Sequence, residues 1–65
     1  MNIIVNAEPR DVAAETLEEA LQELEFTSPA IATAVNGCFI PRENYPDTPL
    51  SDGDRLEVLA PMQGG

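Results

Sequence analysis

The residues best suited to chemistry are the last two, Gly64 and Gly65. Neither carries a Cβ, so a carboxylate on Gly65 is sterically open on every side. The pair can also thread a slot too narrow for any side chain. Such a carboxylate suits reactions at its own carbon: formation of an acyl adenylate, then attack by a nucleophile. The same two residues also describe a frayed end, because glycine is entropically costly to order and chain termini are commonly disordered. The other candidate is the single cysteine, Cys38. A reactive thiol needs nearby cations or a helix N-terminus to lower its pKa. Cys38 follows a turn signal in an acidic chain, so it reads instead as a small, inward-facing hydrophobe. One cysteine cannot form an internal disulfide or supply the four ligands of an iron–sulfur cluster. The chain has no His, and so lacks the usual general base, and no metal-ligand cluster is evident. An acyl-carrier serine would stand at a helix start in the order Asp-Ser-Leu, but here the order is Leu50-Ser51-Asp52. The residues therefore offer no catalytic constellation, and no metal site is expected.

Composition narrows the partners. The 65 residues make one small domain, and 43% of them are hydrophobic, enough for a core and too many for a disordered segment. Twelve Asp and Glu face three Arg and Lys, a net charge of −9. Nucleic acid and anionic membrane surfaces are excluded as partners, since both require cations. A protein with a basic face would be steered toward such a chain. Met1 leads directly into Asn2-Ile3-Ile4-Val5-Asn6 with no basic leader region, and no apolar run approaches spanning length. A cytoplasmic location is the expectation.

The elements that position these residues follow from periodicity. Met1, Ile3 and Val5 alternate with Asn2, Ile4 and Asn6, predicting a strand with one buried face. Ala7 to Arg10 reads as a turn placed by Pro9, with Val12 anchoring a short return strand. Thr16 and Glu19 have capping-box spacing at a helix start. Leu17, Ala20, Leu21 and Leu24 then form one apolar stripe. Glu15, Glu18, Glu19, Glu23 and Glu25 lie off that stripe, as either a solvated face or a docking surface for a basic partner. Pro29 closes the connection after the helix. Ala30 to Val35 is the next strand, and Asn36-Gly37 predicts a two-residue hairpin pairing Val35 with Cys38 and Thr33 with Ile40. That register turns Cys38 and Ile40 inward and Phe39 outward. Arg42 to Tyr45 reads as one loose turn, with Pro46 and Pro49 preventing regular structure nearby. Leu50 plugs the core. Asp52-Gly53 turns the chain into a last strand, Arg55 to Ala60, with Leu56, Val58 and Ala60 inward, ended by Pro61. The predicted core is Ile3, Val5, Val12, Leu17, Leu21, Leu24, Val35, Ile40, Leu50, Leu56 and Val58. Ile4, Phe39 and Leu59 are apolar but fall on the opposite faces of their strands, forming a candidate partner-binding patch.

This order of elements predicts an α+β roll: a mixed sheet of four to five strands with one main helix packed on one face. The body spans 1–61, and 62–65 is a flexible tail. Extended, Met62 to Gly65 reaches at most about 13–14 Å, at about 3.3–3.6 Å per residue.

Four segments carry a resemblance over essentially the whole chain: Ala34-Val35-Asn36-Gly37, Ile40-Pro41-Arg42-Glu43, Leu50-Ser51-Asp52-Gly53-Asp54 and Gln63-Gly64-Gly65. In this order and spacing the chain resembles the ubiquitin-like β-grasp sulfur carriers, most closely those of thiamin biosynthesis. Tyr45 stands where relatives often carry Trp. The resemblance implies a protein co-substrate rather than an enzyme. A dedicated enzyme would use ATP to adenylate the Gly65 carboxylate. A persulfide derived from cysteine by a desulfurase would convert it to a thiocarboxylate, and thiazole synthase would take the sulfur. No cofactor is bound on this reading, ATP being used by the activating partner. Gly64 and Gly65 would be the reacting end, and Ile4, Phe39, Leu59, Met62 and Gln63 the partner-binding residues. Two alternatives stand beside it: the small subunit of molybdopterin synthase, which shares fold and diglycine end, and a β-grasp adaptor that only binds.

Overall fold

The alternation at the start of the chain forms strand β1, Asn2–Val5, with Ile3 and Val5 buried and Ile4 half-buried on the other face. The computed structural model describes residues 1–60. The expectations placed on Pro61, Met62, Gln63, Gly64 and Gly65, including a separate tail, lie outside the described residues. After β1 come β2 (Glu8–Asp11), helix α1 (Leu17–Glu23), β3 (Ala32–Val35), β4 (Cys38–Ile40), a 3₁₀ helix (Arg42–Asp47) and β5 (Arg55–Leu59). The five strands form one sheet in the order β2-β1-β5-β3-β4. β1 runs parallel to β5, and the other neighbours pair antiparallel. The first and last strands thus lie side by side within the sheet, and β5 leads into the segment that ends at Gly65.

The first turn differs from its prediction. It is made by Asn6 and Ala7, with φ of 49° and 70°, while Pro9 lies inside β2 opposite Ile4. β2 is an edge strand, where a residue without an N–H can sit without breaking the sheet. Val12 falls just past β2 but is buried, and its N–H donates to the Met1 carbonyl at 2.8 Å.

Helix α1 starts where the capping signal places it. Thr16 is the N-cap, and its hydroxyl accepts the Glu19 N–H at 3.2 Å. The reciprocal arm is shifted by one residue: Glu19 Oε1 accepts the N–H of Glu15, at 3.0 Å, rather than that of the cap itself. Glu23 reaches back in the same way and accepts the N–H groups of Ala13 and Ala14, at 3.0 and 3.1 Å. These carboxylates satisfy the backbone of the stretch leading into the helix. Leu17, Ala20 and Leu21 are buried and Leu24 half-buried. They join Ile3, Val5, Leu56 and Val58 of the sheet in one core cluster. Because Leu21 is only 4% exposed, Leu21→Ala should destabilise the fold by about 2–5 kcal/mol, through lost burial and the cavity left behind. Urea denaturation followed by far-UV circular dichroism measures it, and a change below about 1 kcal/mol would contradict this packing.

β3 begins at Ala32, two residues later than predicted from Ala30. The hairpin register is the predicted one, with Val35 opposite Cys38 and Thr33 opposite Ile40. Ile40 and Val35 are half-buried, but Cys38 is exposed. Its inward reading fails because β4 is the sheet edge and Cys38 directly follows the turn at Asn36-Gly37.

The stretch read as a loose turn is a six-residue 3₁₀ helix containing Pro46. Asn44 N–H donates to the Pro41 carbonyl at 2.9 Å, and Thr48 N–H to that of Tyr45 at 3.3 Å. One turn closes before Pro46 and the other spans it, with Pro46 at the second position, where proline is favoured. The 3₁₀ helix buries Tyr45, absent from the predicted core, against α1. Leu50 is buried as expected, and its N–H donates to the Glu15 carbonyl at 2.9 Å. β5 buries Leu56 and Val58. Ala60 is exposed, contrary to its inward prediction, because pairing with β3 ends at Leu59 opposite Ala32.

Candidate functional site

Of the predicted site residues, Ile4, Phe39 and Leu59 lie in the described part of the chain, and all three stand on the sheet face opposite α1. Phe39 is 65% exposed and Leu59 72% exposed. The register explains why these two meet. Phe39 on β4 sits opposite Ala34, and Leu59 on β5 sits opposite Ala32. The two alanines are neighbours along the outer face of β3, since side chains two apart share a face. Their small side chains make a floor between two large apolar walls. The result is an open hollow of about 180 Å3 lined by Ala32, Thr33, Ala34, Phe39, Glu57 and Leu59.

Ile4 does not join this hollow. It pairs with Arg55 on β5 and lines a second depression with Asn36, Gly37, Gly53, Arg55 and Glu57. Arg55 and Glu57 project between Ile4 and the Phe39–Leu59 pair because outward positions on β5 alternate with the buried Leu56 and Val58. The expected three-residue patch is therefore one apolar pair and one separate residue. Met62, Gln63, Gly64 and Gly65 lie outside the described residues.

The acidic excess serves the fold as well as the surface. Asp52 accepts the Asn2 N–H at 2.7 Å. Asp54 accepts the Ser51 N–H at 2.8 Å and an Asn36 side-chain N–H at 3.1 Å. With Glu19 and Glu23 also occupied, Glu15, Glu18 and Glu25 are the exposed carboxylates left around the helix. Among the described residues the one ion pair joins the Met1 amino group to Asp11 at 3.5 Å. No His, Cys, Asp and Glu grouping there could hold a metal ion. No helix in that part is long and apolar enough to cross a membrane.

Sequence reasoning missed the roles of two asparagines. Asn36 has a turn propensity in the sequence, but its Oδ1 also accepts the Arg55 N–H at 3.0 Å, tying the hairpin to the start of β5. Alternation makes Asn6 an outward strand residue, but its side chain holds Val58 through two hydrogen bonds. The available signal was an asparagine at the end of an alternating run, where its tolerance of positive φ permits a turn.

Comparison with known proteins assigns the arrangement. A family model described as the ThiS family matches residues 3–65. The chain is 41% identical over 61 residues to the sulfur carrier protein ThiS of Thermus thermophilus, covering 94% of this chain and 95% of that one. It is 35% identical over 66 aligned positions to a thiazole synthase of Paramagnetospirillum magneticum, with the whole of this chain aligned to 20% of that protein. The crystal structure of the thiamine biosynthesis protein ThiS from Geobacter metallireducens is similar over 100% of both chains, with a TM-score of 0.83 and 35% identity. The five-stranded sheet and single α-helix are thus the ubiquitin-like β-grasp. Two of these relatives are named ThiS and the third a thiazole synthase. The chain belongs to the ThiS family, the small sulfur carrier proteins of thiamin biosynthesis.

Proposed function

We propose that the Gly65 carboxylate is the group that bears the sulfur, and that the Phe39–Leu59 hollow is where partner proteins grip the body. The observation that carries this reading is the family match, which runs through to Gly65. The carboxylate oxygen attacks the α-phosphate of ATP on an activating enzyme and releases pyrophosphate. The terminal sulfur of a persulfide, formed from cysteine by a desulfurase, then attacks the acyl carbon and AMP leaves. A thiol then attacks the cysteine sulfur of the resulting acyl disulfide, forming a new disulfide and releasing the thiocarboxylate as leaving group. ATP belongs to the partner, and the carrier holds no cofactor of its own. Gly64 keeps the approach narrow, and Met62 and Gln63 contact the partner's channel. Thiazole synthase is the acceptor; a relative of that name contains a stretch similar to this whole chain, which supports direct contact between the two. The net charge of −9 favours partners with basic surfaces. The work is done in the cytoplasm.

Mass spectrometry of the intact protein tests the reading after incubation with a ThiS-activating enzyme, ATP and a persulfide donor. One oxygen should be exchanged for one sulfur, and fragmentation should place it on Gly65. Cys38 is exposed and needs a direct control. Cys38→Ser should acquire sulfur at a rate within about twofold of the unsubstituted chain, since no step passes through that thiol. Complete loss of loading in a folded Cys38→Ser protein would move the chemistry to Cys38.

A further inference from the structure

We infer that Asn6 is a positioning residue: its side-chain amide acts as an extra backbone rung that fixes the end of β5, the strand from which the sequence runs on to Gly65. The consequence for sulfur loading rests on the carrier reading above; the geometry does not. Along β5, backbone groups alternate between two neighbours. The Arg55 carbonyl accepts from Asn36, adjoining β3. The Asp54 and Leu56 carbonyls accept the N–H groups of Ile4 and Asn6, each at 2.9 Å. Val58 is the next residue to face β1.

A parallel strand continuing in register would meet Val58 with backbone. At Asn6 the chain instead turns into β2, with φ of 49°. The Asn6 side chain stands in for the missing peptide. Val58 N–H donates to Asn6 Oδ1 at 2.9 Å, and Asn6 Nδ2 donates to the Val58 carbonyl at 3.3 Å. A carboxamide is suited to this because it carries an acceptor and a donor side by side, as a peptide unit does. Asparagine also tolerates the left-handed conformation that the turn demands. Without this rung, both backbone groups of Val58 on the β1 side lose their partner. The last part of β5 is then held from the β3 side alone, and the direction of the chain at the end of β5 is less well defined.

Two variants separate positioning from general stability. Asn6→Gly keeps the turn unstrained while removing the amide. Asn6→Asp tolerates the same φ and keeps only the acceptor. In amide hydrogen exchange followed by NMR, Asn6→Gly should lower protection of the Val58 N–H about tenfold while those of Ile3 and Thr33 hold. Asn6→Asp should retain most of it. In loading by the activating enzyme, KM for the Asn6→Gly chain should rise about three- to tenfold with kcat within about twofold, because fewer molecules present the terminus productively. Asn6→Asp should fall between. Unchanged Val58 protection, protection lost evenly across the core, or an unchanged KM would each overturn the assignment. Failure of the unsubstituted chain to acquire any sulfur would instead count against the carrier chemistry, and the exchange measurement would still decide the role of Asn6.

Discussion

A chain lacking Gly65 should acquire no sulfur under conditions that fully load the intact one. The expectation follows from reach and from steric access. Removing one residue withdraws the carboxylate by about 3.3–3.6 Å along an extended chain. A displacement of about 1 Å in a reacting group can already slow a reaction a hundredfold, so withdrawal by a whole residue should take loading below detection. Gly64→Leu tests the complementary requirement. It restores the length but puts a branched side chain beside the acyl carbon, so loading should again be lost. Neither change should affect folding, because the core cluster is drawn from Ile3 to Val58. Unfolding midpoints equal to that of the intact chain would establish this. Normal sulfur loading of the truncated chain would sink the mechanism.

The parts of the fold read correctly in advance are those set by strong local signals. Strand alternation placed Ile3, Val5, Leu56 and Val58 in the core. The Thr16 cap and the stripe from Leu17 fixed the helix start and its buried face. Asn36-Gly37 fixed a hairpin register that proved right at each pair. The misreadings came where tertiary context decides. Pro9 reads as a turn former in the sequence because a proline inside a strand is tolerated only at an edge, and which strand is an edge is set by the whole sheet. Cys38 has the inward register, but burial also requires a covering neighbour, which β4 lacks at the turn. Tyr45 gave no periodic signal because its 3₁₀ segment is short and carries a proline. Its burial depends on contact with α1, from which the whole β3–β4 hairpin separates it in sequence. Grouping Ile4 with Phe39 and Leu59 used strand parity alone. Parity gives the face of the sheet but neither the strand order nor the register: β5 and β3 separate Ile4 from Phe39, and Ile4 pairs with Arg55, four residues along β5 from Leu59. The role proposed for the terminal glycines rests on residue type alone: neither carries a Cβ, and no fold is needed to see that.

Phe39→Asp should weaken engagement of the activating enzyme by at least about 2 kcal/mol, about thirtyfold in Kd, while leaving the fold intact. Phe39 is 65% exposed on an edge strand, so its replacement removes little from the core. What it removes is one wall of the hollow whose other wall is Leu59 and whose floor is Ala32 and Ala34. A partner side chain seated there loses its apolar contact and meets a buried carboxylate, which is costly without a counter-charge. The new charge also faces Glu57 across the hollow, with Ala34 between them, adding a like-charge cost. Leu59→Asp should behave similarly. Ile4→Asp should weaken binding by less than about 0.7 kcal/mol, below about threefold, because Ile4 lines the separate depression beside Arg55. Calorimetric titration of each variant into the activating enzyme gives the ranking. Equal losses at Ile4 and Phe39 would mean that partners cover the whole outer face of the sheet, and undiminished binding by Phe39→Asp would show that the grip lies elsewhere. Thermal unfolding of the same samples separates lost recognition from lost structure. If Phe39→Asp shifted Tm as far as Leu21→Ala does, Phe39 would belong to the core despite its exposure.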